Sequence, residues 1–209
     1  MTDMGGEIFQ KVLSTMLIEA EKAIVNCQHA PVIIAIDGNC GSGKTTYSDR
    51  LATFFSAPVI HCDDFFLPKT LRTAQRLNEV GGNIHYERLR ALLNRLRCDQ
   101  TPVTSRQRKI PTFTYRAYNC STDTYEQRSF VASKVVIVEG SYALHPMHVE
   151  FYDLKILLTV NEQTQRCRLL AREGEAGLAN FVNKWIPMEN RYFATLDKTD
   201  CIVIDTSKI

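Results

Sequence analysis

Short apolar runs alternate along the chain with longer segments in which apolar residues recur every three or four positions. Uninterrupted apolar runs are typical of strands buried on both faces of a parallel sheet, and helical periodicity is typical of helices packed against one. The runs fall at residues 31–36, 57–61, 134–140, 154–160 and 201–205. We therefore expect an α/β protein with a doubly wound, parallel, five-stranded sheet flanked by helices.

Helical periodicity predicts the segments that cover this sheet. The first helix lies within residues 1–28, and packing against the sheet is favoured over binding a partner. Further helices are predicted to begin near residue 43, to span residues 86–98, and to run up to about residue 173. After a glycine-containing bend, a last helix is expected at residues 178–195.

Two segments depart from the alternation of strands and helices. From residue 101 to residue 130 no helical period is visible, and Thr, Tyr, Arg and Ser dominate, which predicts an inserted β-hairpin at about residues 102–130. The polar stretch at about residues 161–178 is predicted to form a helical lid. We expect both to belong to a single domain spanning residues 1–209.

A glycine-rich loop follows the first predicted strand and has the pattern G-x-x-x-x-G-K-[ST]. Its glycines let backbone N–H groups converge on a polyphosphate, while the lysine reaches the β- and γ-phosphates and the threonine hydroxyl binds Mg²⁺. Strand, loop and helix follow in the order of a P-loop NTPase, so we expect Mg-ATP as the ligand. The expected nucleotide-binding residues are Gly38, Asn39, Cys40, Gly41, Ser42, Gly43, Lys44, Thr45 and Thr46.

Acidic residues come where two of the predicted strands end, at the edge where a parallel sheet binds its ligand. Asp63 and Asp64 follow the second strand, and Glu139 ends the third. Carboxylates bind Mg²⁺ and take the proton of an acceptor hydroxyl during phosphoryl transfer. We expect Thr45, Glu139 and Asp63 to hold the metal, and either Asp63 or Asp64 to act as the general base.

Arginines on the predicted lid are candidates for neutralising the transferred phosphoryl group. Arg168 and Arg172 are four residues apart and share one helix face, with Arg166 nearby. The glycines at positions 174 and 177 supply a flexible joint beside them. Lys44, Arg168 and Arg172 are thus predicted to act in catalysis together with Asp63.

Composition narrows the setting in which such a site would act. The 209 residues carry a net charge of +2, which indicates neither a nucleic-acid partner nor an anionic membrane surface. The seven cysteines form no C-x-x-C pair and are read as reduced thiols rather than disulfides or a zinc site. No signal peptide or long apolar run is present, so we expect a soluble, cytoplasmic protein acting on a small molecule, with homo-oligomerisation left open.

The motifs together resemble the uridine kinase family, and equally the related nicotinamide riboside kinases and other members of the phosphoribulokinase–uridine kinase group. The resemblance covers about residues 32–205 and rests on segments 38–45, 60–68, 82–87 and 138–142. Its most specific element beyond the phosphate loop is Asp63-Asp64-Phe65-Phe66. It implies ATP-dependent phosphorylation of a nucleoside's ribose 5′-hydroxyl, with Asp63 as general base and the hairpin covering the nucleobase.

The resemblance also implies a set of acceptor-binding residues. These are Asp63, Asp64, Phe66, His85, Glu87, Tyr115, Tyr118 and Arg166. The chain departs from the family at His85, where relatives usually carry an aspartate for the ribose hydroxyls, and at Tyr118-Asn119, where a Tyr-Asp pair is common. Both changes alter hydrogen-bonding groups of the acceptor site.

Other functions stay open from the sequence alone. The acceptor could instead be nicotinamide riboside, pantothenate or a sugar phosphate. A nucleotide-binding switch is disfavoured, because Asn161-Glu162-Gln163-Thr164 stands where a GTPase would carry a guanine-binding Asn-Lys-x-Asp motif. A kinase-like protein that only binds nucleosides is disfavoured by the intact Lys44, Thr45, Asp63 and Glu139.

Overall fold

The computed structural model describes residues 4–98, 111–131 and 133–208, so residues 102–110 of the predicted hairpin insert lie outside the described part. Its helices are α1 (Met4–Asn26), α2 (Lys44–Phe55), α3 (Ala74–Asn78), α4 (Tyr86–Cys98), α5 (Glu162–Asn180) and α6 (Ile186–Thr195). Its strands are β1 (Val32–Gly38), β2 (Val59–His61), β3 (Thr112–Asn119), β4 (Thr124–Val131), β5 (Val135–Glu139), β6 (Leu154–Thr159) and β7 (Ile202–Asp205). No helix in the described ranges combines the length and apolar character needed to cross a bilayer.

The central sheet has the strand order β2-β5-β1-β6-β7, and all its strands are parallel. The predicted five-stranded parallel sheet is therefore confirmed. Strand β1 lies at its centre, and each of its seven residues is buried, as its uninterrupted apolar sequence predicts. The phosphate loop leaves the end of β1, so it lies at the middle of the sheet's carboxyl edge.

Two apolar layers hold this sheet between helices. On one face, Met16 of α1 and Leu51 of α2 pack with alternate sheet residues such as Ile34. On the other face, Leu89 and Leu93 of α4 pack with the neighbouring positions of the same strands. Burial of both faces fixes the strand register, and this register brings the carboxyl ends of β1, β2 and β5 together.

The hairpin of β3 and β4 docks against the second apolar layer. Phe113 stacks on Phe130 across the strand pair, and Tyr115 stacks on Phe65 with ring centroids 5.3 Å apart. From α4, the Arg95 guanidinium donates to the Thr114 carbonyl at 3.1 Å. The hairpin therefore forms a fixed wall beside the turn that carries the paired aspartates.

The lid differs in detail from the sequence prediction. A bend was predicted between residues 174 and 177, with a new helix from residue 178. In the structure α5 kinks at Gly174, with φ 69° and ψ −179°, and then continues to Asn180. Such dihedral angles are essentially restricted to glycine. A π-helical turn, Phe181–Trp185, leads directly into α6.

Candidate active site

The phosphate loop has the conformation that its glycines predict. Gly38, Gly41 and Gly43 all have positive φ angles, of 151°, 78° and 91°. A Cβ atom built on Gly38 would lie 2.1 Å from the Leu158 carbonyl oxygen, so no other residue fits there. Helix α2 begins at Lys44, and its unpaired N–H groups therefore face the loop.

Polar side chains of the loop are arranged for a polyphosphate. The Lys44 ammonium donates to the carbonyls of Gly38 and Asn39 at 2.7 and 3.0 Å, which holds a positive charge at the loop's rim. Thr45 and Thr46 are exposed at the first turn of α2. The Ser42 hydroxyl is buried, and no hydrogen-bond partner for it lies among the described residues. An anion in the loop would meet an ammonium, hydroxyls and a helix N-terminus.

The two adjacent aspartates have different surroundings. Asp63 is exposed, whereas Asp64 is buried and accepts hydrogen bonds from the Tyr115 hydroxyl at 2.7 Å and the Arg128 guanidinium at 2.9 Å. The cleft walls partly desolvate the Asp63 carboxyl and raise its pKa; the Glu139 charge adds to this rise, and the Lys44 charge opposes it. Of the pair, Asp63 is the carboxylate that faces the open cleft.

Glu139 lies at the end of β5, beside the phosphate loop. It is buried, and its Oε1 atom lies 2.6 Å from Nδ1 of His61 at the end of β2. This contact raises the pKa of His61. Thr45, Glu139 and Asp63 offer only hydroxyl and carboxylate oxygens, the donor set that Mg²⁺ prefers. The candidate metal ligands thus fit the ion by their chemistry.

A cavity of about 240 Å³ opens beside Asp63 and is the candidate acceptor site. The hairpin supplies most of its wall. Its lining residues are Asp63, Asp64, Phe66, Ala117, Tyr118, Asn119, Cys120, Glu126 and Arg128. The predicted acceptor residues Asp63, Asp64, Phe66 and Tyr118 are therefore brought together, and Tyr115 reaches the cavity through its bond to Asp64.

His85 and Glu87 are turned away from this group. His85 Nδ1 lies 2.9 Å from Glu87 Oε2, and the same carboxylate oxygen accepts a bond from Arg76 at 3.0 Å. Burial lowers the pKa of His85. Neither residue belongs to the described lining of the acceptor cavity. In this conformation they form an ion-paired cluster at the start of α4.

The three lid arginines have three different environments. Arg166 lines a second cleft, of about 290 Å³, together with Asn39 of the phosphate loop. Arg168 donates to the Gly41 carbonyl at 2.9 Å and the Thr206 carbonyl at 2.7 Å. Arg172 pairs with Glu173 at 2.6 Å. Sequence reasoning placed Arg168 and Arg172 on one helix face with Arg166 nearby, and of the three it is Arg166 that lines the described cleft beside Asn39.

Comparisons with known proteins agree with this geometry. A uridine kinase from Streptococcus pneumoniae is 24% identical over 85% of this chain and 86% of its own length. A chloroplastic uridine/cytidine kinase of Arabidopsis thaliana is 24% identical over 68% of this chain, which spans only 29% of that longer protein. No family model matches.

Solved structures share the fold over nearly the whole chain. A possible uridine kinase from Bacillus stearothermophilus has a TM-score of 0.66 at 19% identity and covers 94% of this chain and 99% of its own. A putative fructose transport system kinase from Silicibacter has a TM-score of 0.68 at 20% identity, with coverage of 92% and 98%. The chain is therefore similar to uridine kinases in sequence and shares its fold with solved structures described as kinases. The resemblance found in the sequence is confirmed.

Several residues of the candidate site were missed by sequence reasoning. Arg128 pairs directly with Tyr115 in the hairpin register, so both side chains leave the same face and reach Asp64. A correct register for β3 and β4 would have found it. Gln165 and Glu189, which hold the phosphate loop, carry no local signal, because they are 125 and 149 residues away from the loop residue they contact.

A second cluster of metal-ligating side chains lies at the opposite end of the sheet. Cys27, His29 and Asp153 are its members. The Arg97 guanidinium donates to Asp153 at 2.7 Å and lies 3.0 Å from His29. A guanidinium already supplies the positive charge there, so this cluster is an ion-paired anchor for β1 and β6.

Proposed function

We propose that the protein transfers the γ-phosphoryl group of Mg-ATP to the 5′-hydroxyl of a nucleoside's ribose, with a uridine- or cytidine-like acceptor. The observation that carries this proposal is the contrast between Asp63, which is open to the cleft, and Asp64, which the hairpin holds. A free carboxylate thus lies between the phosphate loop and a cavity large enough for a small acceptor. This arrangement suits general-base catalysis of phosphoryl transfer.

On the donor side, the loop N–H groups and Lys44 would bind the phosphates, and Thr45, Glu139 and Asp63 would hold Mg²⁺. When bound, the ion would neutralise the charge that develops on the phosphoryl oxygens. The contact between His61 and Glu139 fixes the direction of the Glu139 carboxylate. These residues position the donor before the acceptor arrives.

On the acceptor side, Asp63 would accept the proton of the attacking hydroxyl. A carboxylate with a raised pKa is a better proton acceptor than an ordinary aspartate, and the Lys44 charge opposes part of that rise. Asp64 would instead orient Tyr115 and Arg128 against the acceptor. This division of roles follows from the hydrogen bonds that Asp64 already makes.

The lid arginines are proposed to neutralise the phosphoryl group once the lid closes. Arg166 already borders the donor-side cleft. For Arg168 and Arg172 to act on the phosphoryl group, each must exchange its present contact, with Gly41 and with Glu173, for the substrate. Closure would also exclude water, which competes with the acceptor.

A sugar or related acceptor is the second candidate function. One of the two structural neighbours above is named a putative fructose transport system kinase. In addition, His85 and Glu87, the residues expected to bind ribose hydroxyls, pair with each other and with Arg76. Nicotinamide riboside and pantothenate also remain candidates, because each is a small molecule that offers an alcohol hydroxyl as the acceptor. We also propose a cytoplasmic location.

A matched pair of substitutions tests the proposed base. We expect Asp63→Asn to lower kcat by roughly 10²–10⁴-fold while ATP binding stays near the parent value, because the proton acceptor is lost but Lys44 and the loop N–H groups still bind the phosphates. Asp64→Asn should mainly raise the acceptor KM, because it weakens the bonds to Tyr115 and Arg128. Steady-state kinetics with separate ATP titrations measure both. Near-normal turnover of Asp63→Asn together with an inactive Asp64→Asn would reverse the assignment.

The acceptor is identified by ADP release from the parent enzyme. Uridine, cytidine, nicotinamide riboside, pantothenate, fructose and ribulose 5-phosphate are supplied singly with Mg-ATP, and a coupled assay follows ADP. We expect a nucleoside to give the highest kcat/KM. Preference for fructose would support the second candidate, and a lack of turnover with any of them would contradict both.

A further inference from the structure

The backbone of the phosphate loop is hydrogen-bonded to side chains of α5 and α6. The Cys40 N–H donates to Glu189 Oε2 at 2.9 Å, and the Cys40 carbonyl accepts a bond from Gln165 Nε2 at 2.9 Å. The next carbonyl, that of Gly41, accepts from Arg168. Three side chains from α5 and α6 therefore fix two consecutive residues of the loop.

Glu189 makes a second contact that extends this support. Its other oxygen, Oε1, accepts a hydrogen bond from the Ser141 hydroxyl at 2.7 Å. Ser141 lies two residues after Glu139, just beyond the end of β5. Glu189 is 4% exposed, so its carboxylate lies away from bulk solvent. One buried carboxylate thus joins the phosphate loop to the segment that carries a proposed metal ligand.

The helix that carries Glu189 also carries a second buried contact to the loop's base. Tyr192, three residues later on the same face of α6, donates its hydroxyl proton to Asp37 at 2.6 Å. Asp37 directly precedes Gly38, the first loop residue. The π-helical turn and α6 follow α5 without a break. The helix that continues from the lid is therefore hydrogen-bonded to the phosphate loop.

We infer that Glu189 is a positioning residue of the donor site, which aligns the phosphate loop and couples it to the lid. By accepting a hydrogen bond from the Cys40 N–H, Glu189 fixes the orientation of that peptide group. The N–H groups of the following loop residues, which would bind the phosphates, are thereby oriented as well. Movement of α6 would reach the loop through the same bond. The inference rests on the donor half of the proposed function, and nothing in it depends on which acceptor is used.

Nucleotide binding by Glu189 variants tests this role without an acceptor. With Mg²⁺ and a fluorescent ADP analogue, we expect Glu189→Ala to raise Kd by roughly 10-fold or more, as losses of supporting residues commonly do. Glu189→Gln should stay within about 3-fold of the parent, because an amide can accept from Cys40 and donate to Ser141. Glu175→Ala, which removes an exposed glutamate of α5, is the matched control and should leave Kd unchanged.

Trp185 supplies a readout that a purely structural role would not change. It is the chain's single tryptophan and lies in the π-helical turn between α5 and α6. Saturating ADP should alter its fluorescence in the parent and in Glu189→Gln. In Glu189→Ala, saturating ADP should change the emission less than in the parent, because the bond between Cys40 and α6 is gone while those of Gln165, Arg168 and Tyr192 remain.

The outcomes separate positioning from stability. If Glu189→Ala lowers Tm but binds ADP like the parent at temperatures where it is folded, the inference is overturned. Equal weakening by Ala and Gln would also overturn it, since hydrogen bonding would not be the cause. Should Glu189→Ala fail to fold, Ser141→Ala removes one of the two bonds and should weaken ADP binding by about 3-fold; an unchanged Kd would then count against the role. Absence of ADP binding by the parent would instead contradict the proposed function.

Discussion

The proposed donor and acceptor sides of the candidate site are built in different ways. The donor side is a run of consecutive residues, 38–46, whose own glycines and helix N-terminus create the phosphate cradle. The acceptor side is assembled from the turn after β2 and from both strands of the hairpin. A phosphate is recognised by backbone groups that any such loop supplies, whereas an acceptor needs particular side chains in particular places. We therefore expect donor binding to depend on the loop, and acceptor choice to depend on the side chains of the hairpin.

The two sides differ less than the sequence suggests, because side chains far along the chain also hold the donor loop in place. Cys40 is held by Gln165 and Glu189, which are 125 and 149 residues away. In the proposed function the loop would supply the groups that touch phosphate, and side chains of α5 and α6 hold the loop's backbone in place. Both sides of the site thus depend on tertiary contacts, but only the acceptor side depends on them for its chemical groups.

The largest expected effect is on the donor side. Lys44→Ala should weaken Mg-ATP binding by roughly 100-fold, because a charged donor to the phosphates is lost and the loop N–H groups and the N-terminus of α2 must hold them without it. Isothermal titration with Mg-ADP and Mg-ATP measures the change. Lys22→Ala, which removes an exposed lysine of α1, is the control. Binding of ATP by Lys44→Ala as tightly as by the parent would contradict the phosphate-loop assignment.

The sequence predicted the parts of this molecule that are encoded locally. Strand β1, the loop after it and the start of α2 form one continuous signal, so their positions followed directly from the sequence. The kink at Gly174 was placed within a few residues, but the helix was wrongly predicted to restart at residue 178, because periodicity cannot distinguish a kink from a break. Arg128 could not be found, since its role depends on the hairpin register.

The local sequence also could not show which of the two aspartates is open to the cleft. Asp63 and Asp64 are chemically identical and adjacent, and their difference arises from Tyr115 and Arg128, more than 50 residues later in the chain. The arginines of α5 show the same limit. Helical spacing groups Arg168 with Arg172, but Arg168 bonds to the phosphate loop and Arg172 to its neighbour Glu173.

A second prediction concerns the base of the donor loop, where burial raises the pKa of Asp37 to about 6. The folded state then binds a proton that the unfolded state releases between about pH 4 and pH 6. This group's contribution to stability is fully present below about pH 4 and is lost as the pH rises through 6. The loss should be on the order of 3 kcal/mol, at about 1.4 kcal/mol for each pKa unit.

Asp37→Asn removes this titration and tests the sign. Between pH 4.5 and pH 7.5, the free energy of unfolding of the parent should fall relative to that of the variant, as measured by urea denaturation at each pH. The amide also places an N–H₂ group near the Gly38 N–H, so the variant should be less stable than the parent at low pH. Parallel pH profiles for the two proteins would contradict the raised pKa.

The smallest effect is expected at the acceptor wall. Arg128→Met should raise the acceptor KM by about 5-fold, because a half-exposed ion pair with Asp64 contributes only about 1 kcal/mol. ATP binding should not change, since Arg128 lies on the hairpin and not on the loop. The control is Arg116→Met, on the partner strand β3. Arg116 stacks on Tyr125 instead of lining the cavity. Equal changes in both variants would mean that hairpin stability, and not contact with the acceptor, sets the KM. The hairpin side chains could then no longer be assigned to the acceptor side.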